Sequence, residues 1–204
     1  DHADKWYAKA KSGNFWAWAG RNGLPIWKQN ELLWDDDVTV AGGAAGFAVG
    51  LGTGKLKGSA GYAALPDGMK HLHGEVATVQ LVYADKINDI GIILAGGVVA
   101  IDGEDSAANG AATDAPLRKG NWGRDYTIWV GNLQANTKVA DLPVRFGFDY
   151  FYNSEDYSAA ELAGFAAADN VDPDDTDGFV VSLLVGAKKN KGDWQLGYYY
   201  ANIE

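Results

Sequence analysis

The sequence predicts an all-β fold, one antiparallel up-and-down sheet of about ten strands, and three observations predict it. Polar and apolar residues alternate with period two in short runs bounded by turn residues, the spacing of strands rather than helices. The 204 residues include 27 Gly together with 8 Trp, 10 Tyr and 7 Phe, a pairing that suits sheets and barrels better than helix bundles. The connections alternate strictly between very short and long, so that pairing each strand with its successor puts all tight turns at one end and all long loops at the other.

Taken in order, the runs place strands over 5–12, 14–21, 38–51, 55–64, 74–85, 90–101, 125–134, 142–152, 179–188 and 193–202. In the first, Lys5, Lys9 and Lys11 oppose Trp6, Ala8 and Ala10, and Ser12-Gly13-Asn14 turns the chain into the second. A long connection, 22–37, leads to the third strand, and Gly52-Thr53-Gly54 turns it into the fourth, where Lys55, Lys57 and Ser59 oppose Leu56, Ala60 and Tyr62. Loop 65–73 precedes the fifth strand, turn 86–89 the sixth, loop 102–124 the seventh and turn 135–138 the eighth. That eighth strand is the clearest: Val144, Phe146, Phe148, Tyr150 and Tyr152 lie on one face, Arg145, Gly147 and Asp149 on the other. Loop 153–178 and turn 190–192 separate the last two strands, and in the tenth Trp194, Leu196, Tyr198 and Tyr200 oppose Gln195 and Gly197.

A charged face opposite an aromatic one requires water on one side and an apolar phase on the other. Sorted loops and strands of about 9 to 11 residues belong to transmembrane barrels with short periplasmic turns and long extracellular loops, whereas a Greek-key sandwich has no reason to sort its loops. Tyr and Trp gather near strand ends, where amphipathic rings sit at a bilayer interface. The fold class expected is therefore an antiparallel up-and-down transmembrane β-barrel, with 1–204 as one domain. Val144, Phe146, Phe148 and Tyr150 would face lipid, and Lys9, Lys11, Arg21, Lys55, Lys57, Arg145 and Asp149 would line the wet interior. Ile93, Val99, Trp129 and Leu184 are apolar on the face assigned to water, so part of the interior is expected to be dry and covered by a loop.

Loop 153–178 is the expected cover and pore constriction, because Ser158 to Glu161 reads as a capping box opening a helix over 158–168, with Leu162, Phe165 and Ala166 on one side. Its acidic end carries Asp169, Asp172, Asp174, Asp175 and Asp177, which would face Arg21, Lys55, Lys57 or Arg145 and contribute a cation preference. In a calcium-loop frame Asp174, Asp175 and Asp177 would supply oxygens, but Pro173 holds the first ligand position and the closing Glu is absent, so no metal is assigned. Asp35-Asp36-Asp37 reads either as a cation site or acidic vestibule or as a solvated loop, and His71 with His73 lacks a third ligand.

Composition narrows the function classes. A net charge of −10 and a pI near 4.6 argue against nucleic acid and against acidic partners in general. Without cysteine there is no disulfide, thiolate metal site or thiol catalysis. The longest apolar run, 90–101, is too short for a membrane helix, and no leader pattern opens the chain, which reads as a mature or trimmed product. Serines lack a G-x-S-x-G elbow, no H-E-x-x-H exists, and residues 50–55 lack P-loop spacing, so no enzyme and no cofactor is expected.

Over residues 20–46, GRNGLPIWKQNELLWDDDVTVAGGAAG, the chain resembles a porin family of Gram-negative outer membranes. Gly20-Arg21 ends a strand, Leu24-Pro25-Ile26-Trp27 forms a Pro-containing aromatic loop, and Leu32-Leu33-Trp34-Asp35-Asp36-Asp37 precedes a glycine-bearing strand. WYAKAKSGNFWAWAG and WQLGYYYANIE look like family strands at the two ends. The family continues past this point and ends on an aromatic strand, whereas this chain stops at Ile203-Glu204, so part of a larger barrel is expected. The resemblance implies a passive diffusion channel for small hydrophilic solutes or ions in the cell outer membrane, trimeric, with membrane lipid and lipopolysaccharide as partners. Two alternatives stand beside it. One is a soluble carbohydrate-binding or hydrolytic β-sandwich, whose aromatics stack on sugars; the other is a non-conducting structural envelope barrel.

Overall fold

The computed structural model of the chain describes residues 5–30, 33–65, 74–103, 125–156 and 176–203. Ten strands follow one another: β1 (Trp6–Ser12), β2 (Phe15–Asn22), β3 (Val40–Leu51), β4 (Gly54–Ala64), β5 (Gly74–Ile87), β6 (Ile90–Gly103), β7 (Tyr126–Val139), β8 (Leu142–Asn153), β9 (Asp177–Gly186) and β10 (Gln195–Ile203). They form one antiparallel sheet in sequence order, with β1 and β10 at its edges; the sheet is not closed. Two packed sheets, as the sandwich alternative requires, are not what these strands build. Among the described residues there is no helix.

The tight turns hold two residues each, since Ser12 pairs with Phe15, Leu51 with Gly54, Ile87 with Ile90 and Val139 with Leu142. Such turns need positive φ, and Gly13 (55°), Gly52 (61°), Asn88 (54°), Ala140 (48°) and Asp141 (67°) supply it. Strand β7 therefore runs five residues past its expected end. Asn136, Thr137 and Lys138 looked like turn residues, yet they continue the ladder opposite Arg145, Val144 and Pro143. Ala140 is the weak point, because its Cβ crowds the backbone at positive φ and an L-residue there costs about 1 to 2 kcal/mol. Ala140→Gly should raise stability by about 0.5 to 1 kcal/mol, read as a higher urea midpoint; an unchanged or lower midpoint would remove the strain argument.

The β9–β10 connection is longer and closes on Ala187 N–H donating to Trp194 O, 3.0 Å. Inside it Asp193 accepts from the backbone N–H groups of Asn190 (2.8 Å) and Lys189 (3.0 Å). Those donors, Asn190's first, hold the Asp193 carboxyl below the usual carboxylate range.

Register and alternation assign two faces. On the inner one Thr78, Gln80, Asn132, Gln134, Asp149 and Ser182 are buried. On the outer one Tyr62, Val79, Leu81, Leu94, Phe146, Tyr150 and Leu183 are exposed. Trp129, expected inside, is 54% exposed and stands opposite Tyr152 on the outer face, because Asn132 and Gln134 fix the even-numbered positions of β7 as inward. Ile93, Val99 and Leu184 do lie inward, and Val99 joins Val40, Ala63, Leu65 and Val76 in a small apolar cluster.

Candidate functional site

The inner face is occupied by the segment between β2 and β3. Pro25 limits its own φ and favours an extended approach, and the backbone then runs across the strands, where its polar groups need partners. Ser59 Oγ on β4 donates to Pro25 O at 2.6 Å. On β5 the Gln80 side chain imitates a strand neighbour, accepting from Trp27 N–H at 2.6 Å and donating to Trp27 O at 2.8 Å. Farther on, Gln29 Nε2 reaches Asp149 Oδ1 at 2.8 Å, with Leu133 O at 3.0 Å and Phe148 O at 3.1 Å. Asn30 Nδ2 donates to Asp149 Oδ2 and Asn132 Nδ2 to Asp149 Oδ1, both at 2.5 Å.

Asp149 is 1% exposed, so its charge is satisfied by three side-chain amides instead of water. Small residues make the room this requires. A Cβ on Gly61 would come within 2.8 Å of Pro25, and one on Gly147 within 2.5 Å of both Gln29 Oε1 and Ser182 Oγ. The void left between segment and strands β5 to β8 measures about 20 Å³, so the packing is close. Nearer the long-loop end Leu24, Leu33 and Trp34 pack on the apolar inner cluster. Lys28, bound to Asp36 at 2.9 Å and donating to Trp34 O, folds the segment back towards β3.

The sequence-expected wall residues fall into three groups. Lys55 and Lys57 share the inner face with Ser59, Arg145 shares it with Asp149, and Lys9 and Lys11 pair with inward Trp18 and Trp16. Lys9 Nζ stands 5.4 Å from the Trp16 ring centre. Arg21, expected to line the interior, falls instead in the outer-face row with Trp6 and Ala41, because the inward positions of β2 are the even-numbered ones, and it donates from Nε to Thr39 Oγ1 at 2.9 Å, at the point where the segment leaves the sheet. Asp149 lies beneath the segment and anchors it. Val144, Phe146, Phe148 and Tyr150 alternate with the buried Gly147 and Asp149, on the opposite face.

The helix expected over 158–168 and Asp169, Asp172, Asp174 and Asp175 lie outside the described residues, as do His71 and His73. Asp177, expected at the constriction, opens β9 opposite Tyr152 in the outer-face row, because the inward positions of β9 are the even-numbered ones. Asp36 is taken by Lys28, and Asp35 Oδ1 accepts from Asp37 N–H at 2.8 Å. Among the described residues no three acidic or histidine side chains are placed to hold a metal ion.

The dry inner patch and the need for a cover were legible in the sequence, which points to 153–178 as the cover, a loop that lies mostly outside the described residues. Over Val99 and its neighbours the cover is Leu24, Leu33 and Trp34 of the β2–β3 segment. A usable signal was present: mid-strand Ser59, Gln80 and Asp149 carry more hydrogen-bonding capacity than inward neighbours Gly61, Gly97 and Gly147 can satisfy. Comparison of the chain with family models, with curated proteins and with solved structures finds no match.

Proposed function

We propose that this chain forms the wall of an outer-membrane channel through which small hydrophilic solutes diffuse passively. The observation that carries the reading is the inversion of the sheet's two faces. Thr78, Gln80, Asn132, Asp149 and Ser182 are buried inside, whereas Val79, Leu81, Leu94, Phe146 and Leu183 stand exposed outside. In water that arrangement would strand a wide apolar surface; in a bilayer the apolar face is solvated by lipid. Outer-face aromatics fall towards strand ends, with Trp6, Tyr62, Trp129 and Tyr152 at the long-loop end and Phe15 beside the first tight turn. Resemblance of residues 20–46 to an outer-membrane porin family supports the same reading.

The mechanism involves no bond making. Solutes pass along the polar inner face, and the β2–β3 segment, held by Ser59, Gln80 and Asp149, narrows the way. Spin labels placed singly at Val144, Arg145, Phe146 and Tyr150 of lipid-reconstituted protein check the orientation. Oxygen should relax the labels at 144, 146 and 150, and a water-soluble nickel chelate the label at 145. If the chelate reaches 144, 146 and 150 as well, the outer face is in water and the membrane reading fails.

A further inference from the structure

Net charge −10 conceals a strong separation of charge between faces. At the tight-turn end the inner face carries Lys9 and Lys11 on β1, Lys55 and Lys57 on β4, Lys138 on β7 and Arg145 on β8. Among the described residues none of these six has a carboxylate within ion-pair distance; the cations so paired are Lys28 with Asp36 and Lys86 with Asp89. Of the acids of the same end, Asp141 sits in the β7–β8 turn, off the ladder, and Asp89 pairs with Lys86. Asp85 lies on the outer face, accepting from Thr53, Tyr83 and Lys86 N–H, and Asp193 accepts turn amides. The inward carboxylate of β8, Asp149, is buried under Gln29 and Asn30 and cannot meet a passing solute. Opposite Lys55 and Lys57 on β3 stand only Gly50 and Ala48, so nothing on that strand shields them.

We infer that the passage selects small anions, through the basic inner ring at its tight-turn end; the inference rests on the channel reading above. It reverses both the cation preference expected from the loop aspartates and the exclusion of acidic partners drawn from net charge. Whole-chain charge averages over loops and outer face, whereas a solute in a confined passage meets the cations lining it, whose field the low-dielectric walls focus.

The test is a reversal-potential measurement on the folded full chain in planar bilayers of neutral lipid, under a gradient of potassium chloride. Chloride should permeate about tenfold more readily than potassium at ~0.1 M salt or below. The ratio should fall towards one at ~1 M, where the Debye length shrinks to about 3 Å. Lys55→Glu with Lys57→Glu should move the preference towards potassium, and the milder Lys55→Gln with Lys57→Gln should lower the ratio without reversing it. Channels that conduct but favour potassium, or neither ion, overturn the anion inference and leave the channel reading standing. Folded, bilayer-inserted protein that conducts nothing overturns both.

Discussion

Asp149→Ala is expected to release the β2–β3 segment and to cost about 2 kcal/mol or more in stability, because three amide donors lose an acceptor, two of them, Asn30 and Asn132, at about 1 to 3 kcal/mol each, while Gln29 keeps the Leu133 and Phe148 carbonyls. Those donors belong to Gln29, Asn30 and Asn132, two of them on the segment and one on β7. Asp149→Asn keeps the shape and one acceptor oxygen but adds an N–H pair facing other donors, so an intermediate loss is expected. Urea unfolding in detergent measures both. Limited proteolysis supplies the second readout, since a freed segment should be cut around Lys28 while the ten strands stay intact. A loss below about 0.5 kcal/mol for the alanine variant, with the segment still protected, would show that the segment holds its place without this anchor.

Phe146→Arg should cost about 2 to 4 kcal/mol in lipid if the site lies near the bilayer midplane. Phe146 stands between Ala135 on β7 and Leu183 on β9, on the exposed apolar face, so neither cross-strand neighbour offers a polar group to a guanidinium. Its neighbour Arg145 faces the other way, so Arg145→Gln should change stability by no more than about 0.5 kcal/mol. The contrast between adjacent positions is the informative quantity. Equal effects at 145 and 146 would mean that both faces see the same medium, and the assignment of lipid to one of them would be lost.

How far the sequence could be read depended on whether a signal repeats. Ten strands were legible because alternation recurs along each one, and β8 was legible residue by residue because Arg145, Gly147 and Asp149 break an otherwise aromatic run. Strand ends were less so. The turn after β7 was placed early, since Asn136, Thr137 and Lys138 are common in turns and only the pairing of Val139 with Leu142 locates the reversal. Trp129 went to the wrong face because an exposed indole and a buried one look alike until the register with Tyr152 is known.

The inner segment was the larger omission. Ser59, Gln80 and Asp149 are polar whether they face water or a length of chain, and pattern alone does not separate the two cases. Loop 153–178 drew the assignment through its length and its helical pattern, while the segment that covers Val99 has no periodicity and works through single amides and backbone groups. Charge was legible in total but not in direction. Lys55 and Lys57 could be placed on one face, but Asp149, read as a wall anion, is hidden.

The connectivity of the sheet also sets an order of assembly. Each strand pairs with its successor, and four of the reversals hold two residues, so the ladder can grow hairpin by hairpin at little loop-closure cost. The contacts of Gln29 and Asn30 with Asp149 are of another kind, bridging 120 and 119 positions. They require Asp149, and with it β8, to be in place, far along the chain from β2 and β3. Because contacts of such separation close at greater entropic cost than hairpins, the segment is expected to dock after the strands pair: a clasp fastened last, joining early chain to late chain.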